Sequence, residues 1–169
     1  MKIFLTGFMG SGKSTIGRQI SEVIGFDFLD TDLLIEREQG KTIAEIFDAG
    51  GEAAFRQLEH DLLVSLLPRD FAVISTGGGM PCFHHNMDLM LNSGKVVYLK
   101  THPQTLAGRL IRSQTERPLI RDKTAEELQA YITARLQERE PFYRRAEIIV
   151  QTENFSLNQL LRSLNLMKS

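Results

Sequence analysis

The stretch KIFLTGFMGSGKST, residues 2–15, sets a short apolar run against a glycine-rich turn and then against the start of a helical pattern. KIFLT at 2–6 reads as a buried strand. From Lys13 to Ile24 the apolar residues recur at helical spacing (Ile16, Ile20, Val23, Ile24), and Gly25 supplies the C-terminal stop. Between the two, residues 7–14 match the pattern G-x-x-x-x-G-K-S. Such a loop wraps its backbone so that N–H groups point inward at phosphate oxygens, and the following helix adds the positive end of its dipole. Gly10, Ser11, Gly12, Lys13, Ser14 and Thr15 are therefore candidates for holding a nucleoside triphosphate. Lys13 would reach the β- and γ-phosphates, and the Ser14 hydroxyl would meet Mg²⁺. The loop says nothing about the phosphate acceptor.

Outward from this stretch, strands and helices alternate. FDFL at 26–29, FAVIST at 71–76, KVVYL at 95–99 and EIIV at 147–150 read as further strands, and 33–39, 43–49, 52–67, 103–111, 124–139 and 157–167 as helices. Gly40, Gly50-Gly51 and Pro68 separate the early helices, and Thr124 with Glu127 forms a capping box. Short buried strands alternating with helices imply a three-layer α/β/α sandwich around a five-stranded, mostly parallel sheet. Ligands of such sheets lie beyond the carboxyl ends of the strands, which is where the candidate residues fall. The polar stretch RSQTERPLIRDKT at 112–124 lacks periodicity and reads as a lid loop.

The 169 residues are read as one domain, with 42% hydrophobic and 24% charged residues. A net charge of −1 gives no pull toward nucleic acid or anionic lipid. The apolar runs are far too short to cross a bilayer, and the N-terminus reads as a strand rather than a signal peptide. The single cysteine, Cys82, excludes an internal disulfide and fits a reducing, cytoplasmic setting; it reads as a small packed residue.

The remaining candidates carry two readings each. Asp30 and Asp32, in LDTD, either cap the next helix or point two carboxylates into one cleft. In the second case one would hold a metal through water and the other take a proton from an acceptor hydroxyl. Arg56 pairs with Glu59 three residues on; a surface ion pair is the plainer reading, a guanidinium held to grip a carboxylate the sharper one. Gly77, Gly78 and Gly79 mark either a flexible turn or bare backbone that a small ligand approaches closely. His84 and His85 read as a solvated helix start. Arg117 sits in the lid loop, where it could meet the charge that develops in phosphoryl transfer. Arg139 precedes Pro141 and either caps helix-end carbonyls or binds an anion.

Taken together, GFMGSGKST, LDTD, AFRQLE, STGGG, RPLI and REPFYRR resemble the shikimate kinases, small P-loop kinases related in fold to nucleoside monophosphate kinases. The resemblance implies Mg²⁺-dependent transfer of the ATP γ-phosphate to the 3-hydroxyl of shikimate. By the same resemblance Asp32 is the base that contacts the shikimate hydroxyls, and Arg56 and Arg139 bind the carboxylate. Gly78 and Gly79 line that site, Arg117 is the lid arginine, Ser14 is the Mg²⁺ ligand and Asp30 stands in its outer shell. The resemblance also sets Arg109 at the adenine of the nucleotide. The acceptor region falls at about 33–62, and a monomer is expected. The rival readings are a P-loop kinase for another small polyol acid, such as gluconate, and a catalytically silent ATP-binding module.

Overall fold

The structure is a computed structural model and describes residues 1–112 and 120–167. Arg117, and with it most of the expected lid at 112–124, lies outside the described residues. Five strands, β1 (Lys2–Thr6), β2 (Asp27–Asp30), β3 (Ala72–Ser75), β4 (Lys95–Lys100) and β5 (Ile148–Gln151), form one sheet in the order β2-β3-β1-β4-β5. Every pairing in it is parallel. The helices are α1 (Lys13–Ile24), α2 (Thr31–Gln39), α3 (Ile43–Leu66), α4 (Asn86–Ser93), α5 (Pro103–Arg112), α6 (Ala125–Tyr143) and α7 (Leu157–Ser163).

The period of two along each strand explains the layering. Ile3 and Leu5 of β1 join Val73, Val97 and Leu99 in a core closed by α1 and α7. Phe4, between them, joins Ile74, Val96 and Tyr98 in the opposite core, closed by α3, α4, α5 and α6. Both faces of the sheet are therefore covered, as an all-parallel sheet requires. The chain leaves β1 toward β2 on one side and reaches β4 on the other, so the connections reverse direction at β1. The glycine-rich loop follows β1 at that point, where open α/β sheets place their ligands. No helix among the described residues is long and apolar enough to cross a membrane.

Three expectations need correction. The two helices expected on either side of Gly50-Gly51 are joined as α3, with a kink at Gly51, whose φ of 75° and ψ of −177° leave the helical region. The helix expected to stop at Arg139 runs through Pro141 to Tyr143. Proline there removes one N–H in the last turn without ending it, because tertiary packing of Tyr143 holds the turn in place. The last helix stops at Ser163 rather than at 167. In addition, a helix that the sequence marked only by its start, α4, is complete from Asn86 to Ser93.

Gly17, in α1, shows how closely the helix seats. A Cβ there would lie 2.5 Å from Phe28 Cε2 and 3.1 Å from Leu5 Cδ1. Gly17→Val should therefore cost about 1–3 kcal/mol through overpacking. In urea denaturation this reads as a lower midpoint with an unchanged slope. An unchanged midpoint would mean that α1 does not sit this close to the sheet.

Candidate functional site

The loop between β1 and α1 takes the conformation its glycines allow. Gly7, Gly10 and Gly12 have φ of 143°, 82° and 94°, a region L-residues with side chains rarely adopt. At Gly7 the space is closed as well, since a Cβ would lie 2.7 Å from the Leu99 carbonyl oxygen. The loop is drawn together by the Ser11 N–H, which donates to Phe8 O at 3.1 Å. Lys13, the first residue of α1, is buried and donates from Nζ to the carbonyls of Gly7 (2.8 Å) and Phe8 (2.9 Å). Its ammonium is thereby held inside the turn, where a phosphate would meet it. A cleft of about 590 Å³ opens over this loop. Its walls include Lys13, Ser14, Asp32 and Arg109, together with Thr152 and Phe155 from the loop after β5. Arg109 Nη1 donates to Gly10 O at 2.9 Å, which ties α5 to the loop.

Asp30 both caps and reaches the cleft, so the two readings of LDTD are not exclusive. Its Oδ1 accepts from the backbone N–H groups of Asp32 (3.1 Å) and Leu33 (3.3 Å), capping α2. Its Oδ2 accepts from Ser14 Oγ at 2.6 Å, and Ser75 Oγ lies 3.4 Å from the same hydroxyl. Hydroxyl and carboxylate oxygens beside a phosphate loop are a hard donor set that fits Mg²⁺, which takes few protein ligands and leaves the rest to phosphate and water. Asp32 does not lie on an extended segment, as the alternation argument supposed; it is in the first turn of α2. The two carboxylates are brought to one cleft by the strand-to-helix turn instead.

Beside the phosphate loop, side chains from three helices converge on the turn that follows β3. None of Gly77, Gly78 and Gly79 has a positive φ, so backbone conformation does not demand glycine here. Crowding does. A Cβ on Gly77 would stand 2.6 Å from Glu59 Oε1 and 2.8 Å from Asp32 Oδ1. On Gly78 it would stand 3.3 Å from Arg139 Nη1, and on Gly79, 2.6 Å from Arg56 Cζ. The Gly77 N–H is taken by Thr31 Oγ1 at 2.9 Å. The Gly78 carbonyl accepts from the Tyr143 hydroxyl, on α6 one turn beyond Arg139.

The Arg56–Glu59 pair is the point at which the plainer sequence reading fails. It is buried, not at the surface: Arg56 is 5% and Glu59 1% exposed. Nη1 of Arg56 donates to Glu59 Oε2 at 2.6 Å, and Nη2 and Nε donate to Glu52 Oε1 at 3.1 and 3.3 Å. Phe83 stacks on the guanidinium, its ring centre 4.5 Å from Cζ. Arg139 is buried too and caps no helix end; it lies over the Phe8 ring at 5.4 Å. Glu59, Thr31, Phe83 and Tyr143 were not singled out as site residues from sequence. The spacing of Glu59 from Arg56 and the final Tyr of REPFY were the signals available. Cys82, at the end of the turn, is half-buried, and burial pushes its thiol up to about 11 against the opposing pull of Arg139 and Arg56.

Burial pushes the Glu59 carboxyl up to about 7, with the Asp32 charge adding to the rise and Arg56 and Arg139 opposing it. An unfolded chain releases this proton near 4.5. Between those values the folded state binds more protons, so stability contributed at this site is greatest below about 4.5 and is lost as pH rises through about 7. Glu59→Gln removes that titration. The stability of the parent minus that of the variant should therefore fall between pH 4.5 and pH 7 and level off above. Urea unfolding at pH 5 and pH 8 measures it; a difference that stays constant would return Glu59 to an ordinary carboxyl.

Comparison with known proteins places this arrangement. The family model described as "Shikimate kinase" matches residues 9–165. The shikimate kinase of Azobacteroides pseudotrichonymphae is 42% identical over 164 residues, 96% of each chain. The crystal structure of shikimate kinase from Bacteroides thetaiotaomicron superposes with a TM-score of 0.94 at 38% identity, covering 98% of this chain and 99% of that one. That of the Acinetobacter baumannii enzyme, in complex with shikimate, gives 0.85 at 35% identity over 97% and 90%. The likeness in sequence and in fold extends over nearly the whole chain, and the chain belongs to the shikimate kinase family.

Proposed function

We propose that the protein transfers the γ-phosphate of ATP to the 3-hydroxyl of shikimate, giving shikimate 3-phosphate and ADP. The observation that carries this reading is the meeting of two buried arginines, Arg56 and Arg139, with Asp32 on the bare turn at 77–79, beside the phosphate loop. Shikimate is a small polyol with one carboxylate. Two guanidinium groups suit the carboxylate, since arginine forks onto it in a way lysine cannot. The backbones of Gly78 and Gly79 would line the same end, and the N–H of Gly77 is already committed to Thr31. Glu59 and Phe83 hold the Arg56 guanidinium from two sides and so fix where its remaining donors point.

In this reading Asp32 orients the acceptor hydroxyl and takes its proton as the oxygen attacks phosphorus and ADP leaves. Positioning carries more of the work than basicity when the transition state is loose. Residues 10–15 cradle the triphosphate, Lys13 faces the transferred group, Arg109 lies at the nucleotide end and Arg117 is the lid arginine. Ser14 would ligate Mg²⁺, with Asp30 holding the Ser14 hydroxyl and standing in the outer shell. Bound there, Mg²⁺ neutralises phosphate charge. The protein is read as a monomeric, single-domain enzyme of the cytoplasm; the lone cysteine fits a reducing compartment.

A coupled assay offering shikimate, gluconate and nucleoside monophosphates tests the reading: turnover is expected with shikimate, and its absence at millimolar concentration would sink it. Asp32→Asn should lower kcat by roughly 10²–10⁴-fold, the range of a positioned acid–base group, and leave the KM for ATP nearly as it was. A large loss of ATP affinity instead would move Asp32 to the metal. Arg139→Ala removes a charge-assisted contact of about 1.5–3 kcal/mol, so the KM for shikimate should rise roughly ten- to hundredfold. A rise confined to the KM for ATP would take the carboxylate role away from Arg139.

A further inference from the structure

His60 follows Glu59 on α3, and its Nδ1 lies 2.8 Å from Asn86 Oδ1. Asn86 opens α4 and is 0% exposed. Its Nδ2 donates to the Met80 carbonyl at 2.9 Å. A carbonyl only accepts, so the NH₂ end of the amide must face Met80 and the oxygen end must face His60. The amide oxygen also only accepts, so the facing ring nitrogen carries a hydrogen: His60 is an Nδ1–H donor. The direction of the whole relay is thereby fixed, from α3 through a buried amide to the backbone of the residue after Gly79.

These are the two segments that bound the acceptor end of the cleft. One carries Arg56 and Glu59; the other carries Gly78 and Gly79, and Gly79 packs against the Arg56 guanidinium. Among the described residues no other hydrogen bond ties α3 to the turn at 77–82. The turn's other ties run to α2, through Thr31, and to α6, through Tyr143. We propose that His60 and Asn86 are positioning residues for acceptor recognition, their relay holding the Arg56 guanidinium and the glycine turn in fixed contact so that the fork's free donors stay aimed at the acceptor's carboxylate. This rests on the function proposed above. A fork-on-carboxylate contact is lost within about half an ångström of misplacement, so a support that holds the fork against the turn acts on acceptor affinity and not on the nucleotide.

The variants are Asn86→Leu, His60→Leu and His60→Asn, with Arg56→Lys as reference, and the measurement is KM for shikimate and for ATP with kcat. Asn86→Leu and His60→Leu should each raise the KM for shikimate roughly tenfold, within the range seen when small misplacements arise away from the chemistry, while kcat and the KM for ATP stay within about twofold. In His60→Asn the side-chain NH₂ can stand where Nδ1–H stood, so the KM for shikimate should return toward the parent value. If both leucine variants leave that KM unchanged, or if both KM values rise in step and His60→Asn rescues neither, the relay is merely structural and the proposal falls. Should Asn86→Leu not fold, the His60 pair decides alone. Arg56→Lys separates the two levels. If it raises the KM for shikimate and the relay variants do not, only the positioning role is lost. If the parent protein does not phosphorylate shikimate at all, the function itself fails.

Discussion

The crowding of charged side chains on the turn after β3 is the constraint around which the functional end is arranged. Asp32, Glu59, Arg56 and Arg139 arrive from three helices; Asp32 and Glu59 occupy the volume a Cβ would need at Gly77 and Arg56 that at Gly79, while Arg139 stands tight against Gly78. Three glycines in a row normally imply backbone freedom, but here φ is ordinary and the side chains' approach is what excludes anything larger. Removing the Cβ atoms lets guanidinium and carboxylate groups reach main-chain depth, close to one another and out of water. Electrostatic interactions at such depth are stronger than at the surface, and so is the cost of leaving any of them unpaired. That explains why Arg56 is held by Glu52, Glu59 and Phe83 at once.

Much of the fold was legible because buried parallel strands are written as short apolar runs, and the bounds of β1, α1, β4 and α5 emerge nearly as the sequence places them. The phosphate loop was equally plain, since its glycines answer to a backbone need that no other residue meets as well. What could not be read is depth. An arginine and a glutamate three apart on a helix look the same whether solvated or sealed against a sheet, so the plainer reading of Arg56 and Glu59 was the reasonable one and is wrong. Pro141 misled in the same way: local rules end the helix at Arg139, whereas packing of Tyr143 against Tyr98 carries it on. The helix α4 was overlooked beyond its first residues because NMDLMLNS is short and weakly patterned.

Asp30 joins the two ends of the cleft. One carboxylate oxygen fixes the first turn of α2, which carries Asp32, and the other fixes the hydroxyl of Ser14 in the phosphate loop. Capping and chemistry, which compete as explanations of the sequence LDTD, are two uses of one side chain. The strand β2 thereby sets nucleotide and acceptor residues in one frame, although they come from parts of the chain that the sheet separates by a whole strand.

Cys82 gives that end of the cleft a further property. Oxidation and thiol–disulfide exchange proceed through the thiolate. With its thiol pushed up to about 11, Cys82 is ionised near neutrality in roughly one molecule in ten thousand. Arg56 and Arg139 would stabilise a thiolate, yet burial outweighs them. The chain's one sulfhydryl thus sits beside the arginines almost wholly as the thiol, which lowers its reactivity relative to an exposed cysteine.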